Sequence, residues 1–228
     1  MGKNDNGNNG RTELVFVVDR SGSMGGLESD TIGGFNSMLS KQRTIAGECR
    51  VTTLLFDHRI ETLHNHLDIR EVNDLTSRDY WVRGSTALLD AIGLAIDRMI
   101  VTQRHTAAAY RAQHVLFVII TDGYENASRR YSLHQIKQMI TYDRERYHWE
   151  FVFLGANIDA EQTAGDFGIS PRCATDFHAD GQGIKASFEA VACAATAVRG
   201  GADLDDLSAP DFLGGVRDDY RSRRRMKR

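Results

Sequence analysis

Oxygen-bearing side chains fall at three places in this sequence with spacings suited to holding a metal ion. The first is Asp19-Arg20-Ser21-Gly22-Ser23, a D-x-S-x-S stretch; the second is Gly84-Ser85-Thr86; the third is Thr121-Asp122-Gly123. Carboxylate and hydroxyl oxygens are the donors that hard cations prefer, so Asp19, Ser21, Ser23, Thr86 and Asp122 point to Mg2+, Mn2+ or Ca2+. Positions 19, 21 and 23 share one parity, so an extended or gently turning loop can aim all three inward, with Gly22 leaving the backbone free to turn. Two carboxylates and three neutral hydroxyls leave a divalent ion short of negative charge. Mg2+ takes near-octahedral ligands at roughly 2.0–2.1 Å, so this set is an open site with at least one position for water or an outside carboxylate.

Taken singly, each stretch has a plainer reading. Asp-x-Ser-x-Ser can cap a helix, Thr86 can start one, and Asp-Gly is an ordinary turn. What favours chemistry is where they fall. Residues 14–18 and 115–120 are continuous apolar runs, as expected of strands covered on both faces. Asp19 and Asp122 stand just beyond them. In an open α/β sheet, ligands bind past the carboxyl ends of the strands, where strand order reverses. The first and fourth strands would flank that point, bringing together groups far apart in sequence.

The remaining elements supply the scaffold. Ile32, Phe35, Met38 and Leu39 recur at helical spacing up to about residue 45. Residues 51–56 read as a second strand, and Asp57-His58 as a tight turn into a third, 59–67, which must be antiparallel. Helices are expected over 86–100, 131–147, 159–167 and 183–198, and strands over 151–154 and 174–177. Alternating strands and helices predict a Rossmann-like three-layer α/β/α sandwich, with a mostly parallel six-stranded sheet and one antiparallel edge strand.

Bulk properties bound the answer further. At 228 residues with 41% hydrophobic and 26% charged side chains, the chain has material for one sizeable core. A net charge of -3 sets up no global field for nucleic acid or membrane. No apolar run approaches the roughly 20 residues a membrane span needs. Residues 1–11 are polar, rich in Asn and Gly, without the apolar core of a signal peptide, so a loose N-terminal segment and a cytoplasmic location are expected. Cys49, Cys173 and Cys193 are odd in number and lack metal spacing, and they read as small core residues.

The three stretches resemble the metal-ion-dependent adhesion site (MIDAS) of von Willebrand factor type A (VWA) domains. D-x-S-G-S-M after an apolar strand, G-S-T-A-L at a helix start and an apolar strand into T-D-G cover residues 12–200, nearly the whole expected fold. The resemblance implies that Asp19, Ser21, Ser23 and Thr86 approach the metal directly or through water, and that Asp122 acts mainly through water. It further implies a non-enzymatic module that binds an acidic residue of a protein partner. Because no signal peptide is expected, it points to the intracellular branch, where such domains work in assemblies often beside ATPases.

A Mg2+-dependent phosphohydrolase on a related fold would resemble the haloacid-dehalogenase pattern D-x-D, but Ser21 stands where the second Asp belongs. His64 and His66 at i and i+2 are expected on an exposed strand face without a third ligand. Glu125 and Asn126 could line the rim or equally be solvated loop residues, Arg20 could guide an acidic partner or face solvent, and Trp81 is expected beneath its own loop. Residues 201–228 form a C-terminal extension, and 217–228 hold Arg217, Arg221, Arg223, Arg224, Arg225, Lys227 and Arg228. That tail is expected to be disordered and solvated, with nucleic-acid association the less favoured use.

Overall fold

The apolar run before Asp19 is the sheet's interior strand. In the computed structural model, which describes residues 10–226, β1 spans Thr12–Asp19 and all eight of its residues are buried. β2 (Cys49–Phe56) lies on one side of it and β4 (His114–Thr121) on the other, both parallel to it. β3 (Ile60–Asp68) returns antiparallel on β2 as the edge, while β5 (Glu150–Gly155) and β6 (Ala174–Asp176) continue beyond β4. The order β3-β2-β1-β4-β5-β6 is the six-stranded mixed sheet the alternating pattern predicts. It reverses direction between β1 and β4, so Asp19 and Thr121 stand side by side at neighbouring strand ends.

Helices cover both faces. α1 (Glu28–Arg43) packs with α5 (Gly181–Arg199) on one side; α2 (Leu88–His105), α3 (Leu133–Tyr147) and α4 (Ala160–Phe167) follow one another on the other. α1 begins before the apolar periodicity does, because Glu28 and Asp30 sit in its first turn, where carboxylates suit the exposed backbone N–H groups. Ser132 and Gln135 close a reciprocal capping box at the start of α3.

Three expectations need correcting. The C-terminal segment is not a loose tail as far as it is described: α6 (Gly214–Met226) docks on α5 and β6. Leu213 and Val216 are buried, and Arg217 donates to the carbonyl oxygens of Pro171, Arg172 and Ala174 at 2.9–3.0 Å. Lys227 and Arg228, like residues 1–9, lie outside the described residues. The histidines do not share a face, because the β2–β3 register slips around Thr53 and His66 has φ +55°. His64 is buried, with Nδ1 3.0 Å from Thr53 Oγ1, whereas His66 Nδ1 lies 2.7 Å from Glu13 Oε2. Cys49 and Cys173 are core residues, but Cys193 is exposed on α5.

Candidate metal centre

The strand ends bring the predicted groups into one cluster. At the end of β1, Asp19 is fully buried, and its two carboxylate oxygens accept from the Ser21 N–H and from Thr121 Oγ1, each at 2.6 Å. Ser21 Oγ and Ser23 Oγ are 3.0 Å apart, and Ser23 Oγ donates to Asp122 Oδ1 from across the sheet. Thr86 joins them: a side-chain carbon at Gly123 would lie 3.2 Å from Ser23 Oγ and 3.4 Å from Thr86 Oγ1. A larger residue there would have to push one of the hydroxyls aside by a few tenths of an ångström. All five predicted residues therefore converge. Ser23 is exposed and the other four are buried, so the cluster opens on one side.

Its electrostatics are those of a site short of positive charge. Burial pushes the Asp19 carboxyl up, against the hydrogen bonds from Thr121 and Ser21. Burial, aided by the charge of Asp19 and opposed by Ser23, pushes Asp122 up to about 6. Asp122 Oδ2 is buried without any hydrogen-bond partner. An orphaned carboxylate oxygen beside a second carboxylate, ringed by hydroxyls, fits a hard divalent cation. No group of three or more His, Cys, Asp or Glu side chains among the described residues is placed to hold a metal, so the hydroxyls are essential to any such donor set.

The supporting residues were only partly visible in advance. Thr86 is held by its neighbours on the loop after β4: its N–H donates to Asn126 Oδ1 at 2.9 Å, and Asn126 N–H donates back to Thr86 O. Glu125 is no rim group. Its carboxylate accepts from the N–H groups of Leu89, Ala127 and Ser128, tying that loop to the first turn of α2. Gly84 has φ +65°, and a side chain there would meet His58 Nδ1 at 2.1 Å, so the turn that delivers Thr86 needs glycine.

Arg20 and Trp81 are placed otherwise than expected. Arg20 is 1% exposed and turned inward; its guanidinium pairs with Asp57 at 3.1 Å and Glu61 at 2.7 Å. Extended backbone turns residue 20 away from the side that 19, 21 and 23 share. Burial alone would raise the Asp57 carboxyl, but hydrogen bonds from Arg83 and the Arg59 N–H, with the charges of Arg83 and Arg20, hold it below the usual range. Tyr80, not Trp81, lies beneath the loop, and its hydroxyl donates to Asp19 O at 2.5 Å. Trp81 is exposed, with the Arg83 guanidinium 4.3 Å from its ring centroid.

No family model matches the chain, and no curated protein matches it in sequence. The fold is that of von Willebrand factor type A domains. Among solved structures, the chain is similar to proximal thread matrix protein 1 of the mussel byssus with a zinc-occupied MIDAS motif. The TM-score is 0.56 at 14% identity, over 82% of this chain and 46% of that one. It is similar also to the manganese-loaded TRAP protein of Plasmodium vivax, with TM-score 0.51 at 15% identity over 78% and 72% of the two chains. The SpRpn10 VWA domain gives TM-score 0.52 at 12% identity over 79% and 94%. The chain spans about half the length of the mussel protein it matches.

Proposed function

We propose that this chain is a non-enzymatic, metal-dependent protein-interaction module. Asp19, Ser21, Ser23 and Thr86 would hold a divalent ion, Mg2+ or Mn2+, with Asp122 acting mainly through water. When bound, the ion supplies an electrophilic position that an acidic side chain of a partner can fill. The observation that carries this reading is the buried, unpartnered Oδ2 of Asp122 beside Asp19 at the point where the sheet reverses. The zinc in the mussel structure and the manganese in the TRAP structure support it, since both share the fold.

The chain's own residues prepare the site. Thr121 and the Ser21 N–H fix the Asp19 carboxylate; Asn126 and Glu125 fix the segment that carries Thr86. The exposed side is bordered by Tyr124, which is 62% exposed and able to contact whatever approaches. Against the hydrolase reading, Ser21 and Ser23 bond each other and Asp122, and among the described residues no imidazole or lysine is hydrogen-bonded to them.

The test is capture of protein partners by the full chain with Mg2+, with EDTA and with Asp19→Ala, after confirming by circular dichroism that the variant folds. We expect partners retained only by wild type with Mg2+, and released by free glutamate. Identical captures in all lanes would exclude metal-bridged recognition. Phosphate-ester hydrolysis dependent on Asp19 would favour the enzyme instead.

A further inference from the structure

A second carboxylate is left alone far from the metal centre. Asp143, near the C-terminal end of α3, is 1% exposed, and neither of its carboxylate oxygens has a hydrogen-bond partner. The chain passes from α3 through Trp149 into the start of β5, so this residue lies toward the amino ends of the strands, opposite the carboxyl ends where Asp19 and Asp122 stand. A buried carboxylate without donor or counter-charge is costly, and proteins remove such groups unless something binds them. Asp97 of α2 is the charged group that acts on it most, and with the same sign.

Asp143 lines a cleft of about 730 Å³ between α2 and α3. Asp97 stands on the α2 wall, its Oδ2 accepting from the Tyr131 hydroxyl at 2.5 Å, while Ile100, Met139 and Tyr142 make the cleft walls largely apolar. Lys137 and His134 also border it, yet neither pairs with Asp143. Tyr142, on the cleft wall, is 55% exposed and packs edge-on against the half-exposed Tyr147, with ring centroids 5.7 Å apart. Glu145 borders the cleft as well, but no three of its acidic and imidazole side chains are placed to hold a metal ion. Asp143 and Asp97, set among hydrocarbon, suit an organic cation with an aliphatic stem.

We propose that the α2–α3 cleft receives an arginine side chain of a partner protein. Its guanidinium would pair with Asp143 and reach Asp97, and its methylenes would lie along Ile100, Met139 and Tyr142. Arginine is favoured over lysine because a planar fork can donate to two carboxylates at once and is less strongly hydrated. The exposed tyrosines then provide the apolar contact that surrounds a buried charged anchor. This surface is independent of the metal centre, so one domain could hold two partners, or one partner at two points.

The experiment is an NMR titration of the full chain, in EDTA, with N-acetyl-arginine amide as probe and N-acetyl-citrulline amide as its neutral isostere. We expect saturable amide shifts confined to the facing stretches of α2 and α3 with the arginine probe, about tenfold weaker with citrulline and in Asp143→Asn. Absent shifts, shifts elsewhere, or equal response to citrulline would overturn the proposal. Thermal melts serve as the control at pH 8, where Asp143→Asn should raise the melting temperature by relieving an unpaired charge. A fall would mean that the carboxylate is already paired within the chain, and would also overturn it. Sedimentation completes the test: self-association lost in Asp143→Asn would make the occupant a second copy, not a separate partner.

Discussion

Thr121 Oγ1 donates to Asp19 Oδ2 at 2.6 Å, joining the carboxyl ends of β4 and β1 through the residue most central to the candidate metal site. Thr121 is fully buried and is not itself one of the five proposed ligands. Its hydroxyl also lies 3.2–3.3 Å from the O and N of Gly123, so it sets the turn that follows as well.

Removing that hydroxyl should therefore weaken metal binding without abolishing it. Thr121→Val keeps the shape and leaves Asp19 its bonds from Ser21 and the Asp122 backbone; the lost bond to a charged group contributes about 1.5–3 kcal/mol, or roughly one to two orders of magnitude in Mn2+ affinity. Asp19→Ala should remove binding altogether. Calorimetry in which Thr121→Val matches wild type would show that the threonine serves packing alone.

The five site residues were legible because each follows a signal that survives in one dimension: a buried apolar run or helix start, then small polar residues. Their supports were not. Glu125 and Asn126 are ordinary loop residues by type, and only the partners 36 and 40 positions away turn them into clamps. Arg20 reads as a rim cation until Asp57 is found behind it, and the adjacent aromatics Tyr80 and Trp81 carry no mark of which one is buried. For α6, a signal was present and outweighed. Leu213, Val216 and Tyr220 recur at i, i+3 and i+7, a narrow apolar stripe in a segment whose charge suggested disorder.

That stripe makes the C-terminal helix a stabilising element. Arg217 also pairs with Asp211 at 2.7 Å, in addition to the three carbonyls it bonds near β6. Arg217→Ala should cost about 2 kcal/mol, which for a domain of this size is roughly 4–8 °C in melting temperature. Deletion from residue 214 should cost more. Melts unchanged by deletion would restore the picture of a solvated tail.

Stability should fall as pH rises from about 4.5 toward 7, in part through Glu150. Burial, with the charges of Asp203 and Asp205 and opposed by Arg144, raises its carboxyl from 4.5 to about 7. Glu145, His114 and His148 border the same hollow. Between these two pH values the folded chain still holds a proton that the unfolded chain has released, so the group's contribution is complete below pH 4.5 and is lost as pH approaches 7. Its slope is at most about one proton, ~1.4 kcal/mol per pH unit. In EDTA, urea melts of Glu150→Gln should show a shallower decline between pH 5 and 8; an identical slope would show that Glu150 does not contribute.

The buried Arg20–Asp57 pair behind the metal loop should contribute measurably to stability. Arg20 Nε and Arg83 Nε both donate to Asp57 Oδ2, at 3.1 and 2.7 Å, and Asp57 Oδ1 accepts from the Arg59 N–H at 2.7 Å. The backbone repeats these ties: Arg20 N–H donates to Phe56 O, Arg83 N–H to Arg20 O, and Ala87 N–H to Asp57 O. The loop bearing Ser21 and Ser23, the β2–β3 turn and the segment leading to Thr86 are thus held at one charged knot. Breaking a buried ion pair by removing one partner typically costs about 3–5 kcal/mol. Arg20→Leu should fall near the lower figure, because Arg83 still neutralises Asp57. Asp57→Leu should cost more, since it leaves Arg83 and the Arg59 N–H without their acceptor and Arg20 with Glu61 alone. In the double variant the losses should not add, because each single change already breaks the Arg20–Asp57 contact. Metal affinity should drop only modestly in Arg20→Leu, as the backbone ties and the Asp19 carboxylate remain. Urea denaturation giving Arg20→Leu the stability of wild type would show the knot to be energetically neutral. A loss of Mn2+ binding as complete as in Asp19→Ala would instead place Arg20 in direct control of the ligand loop.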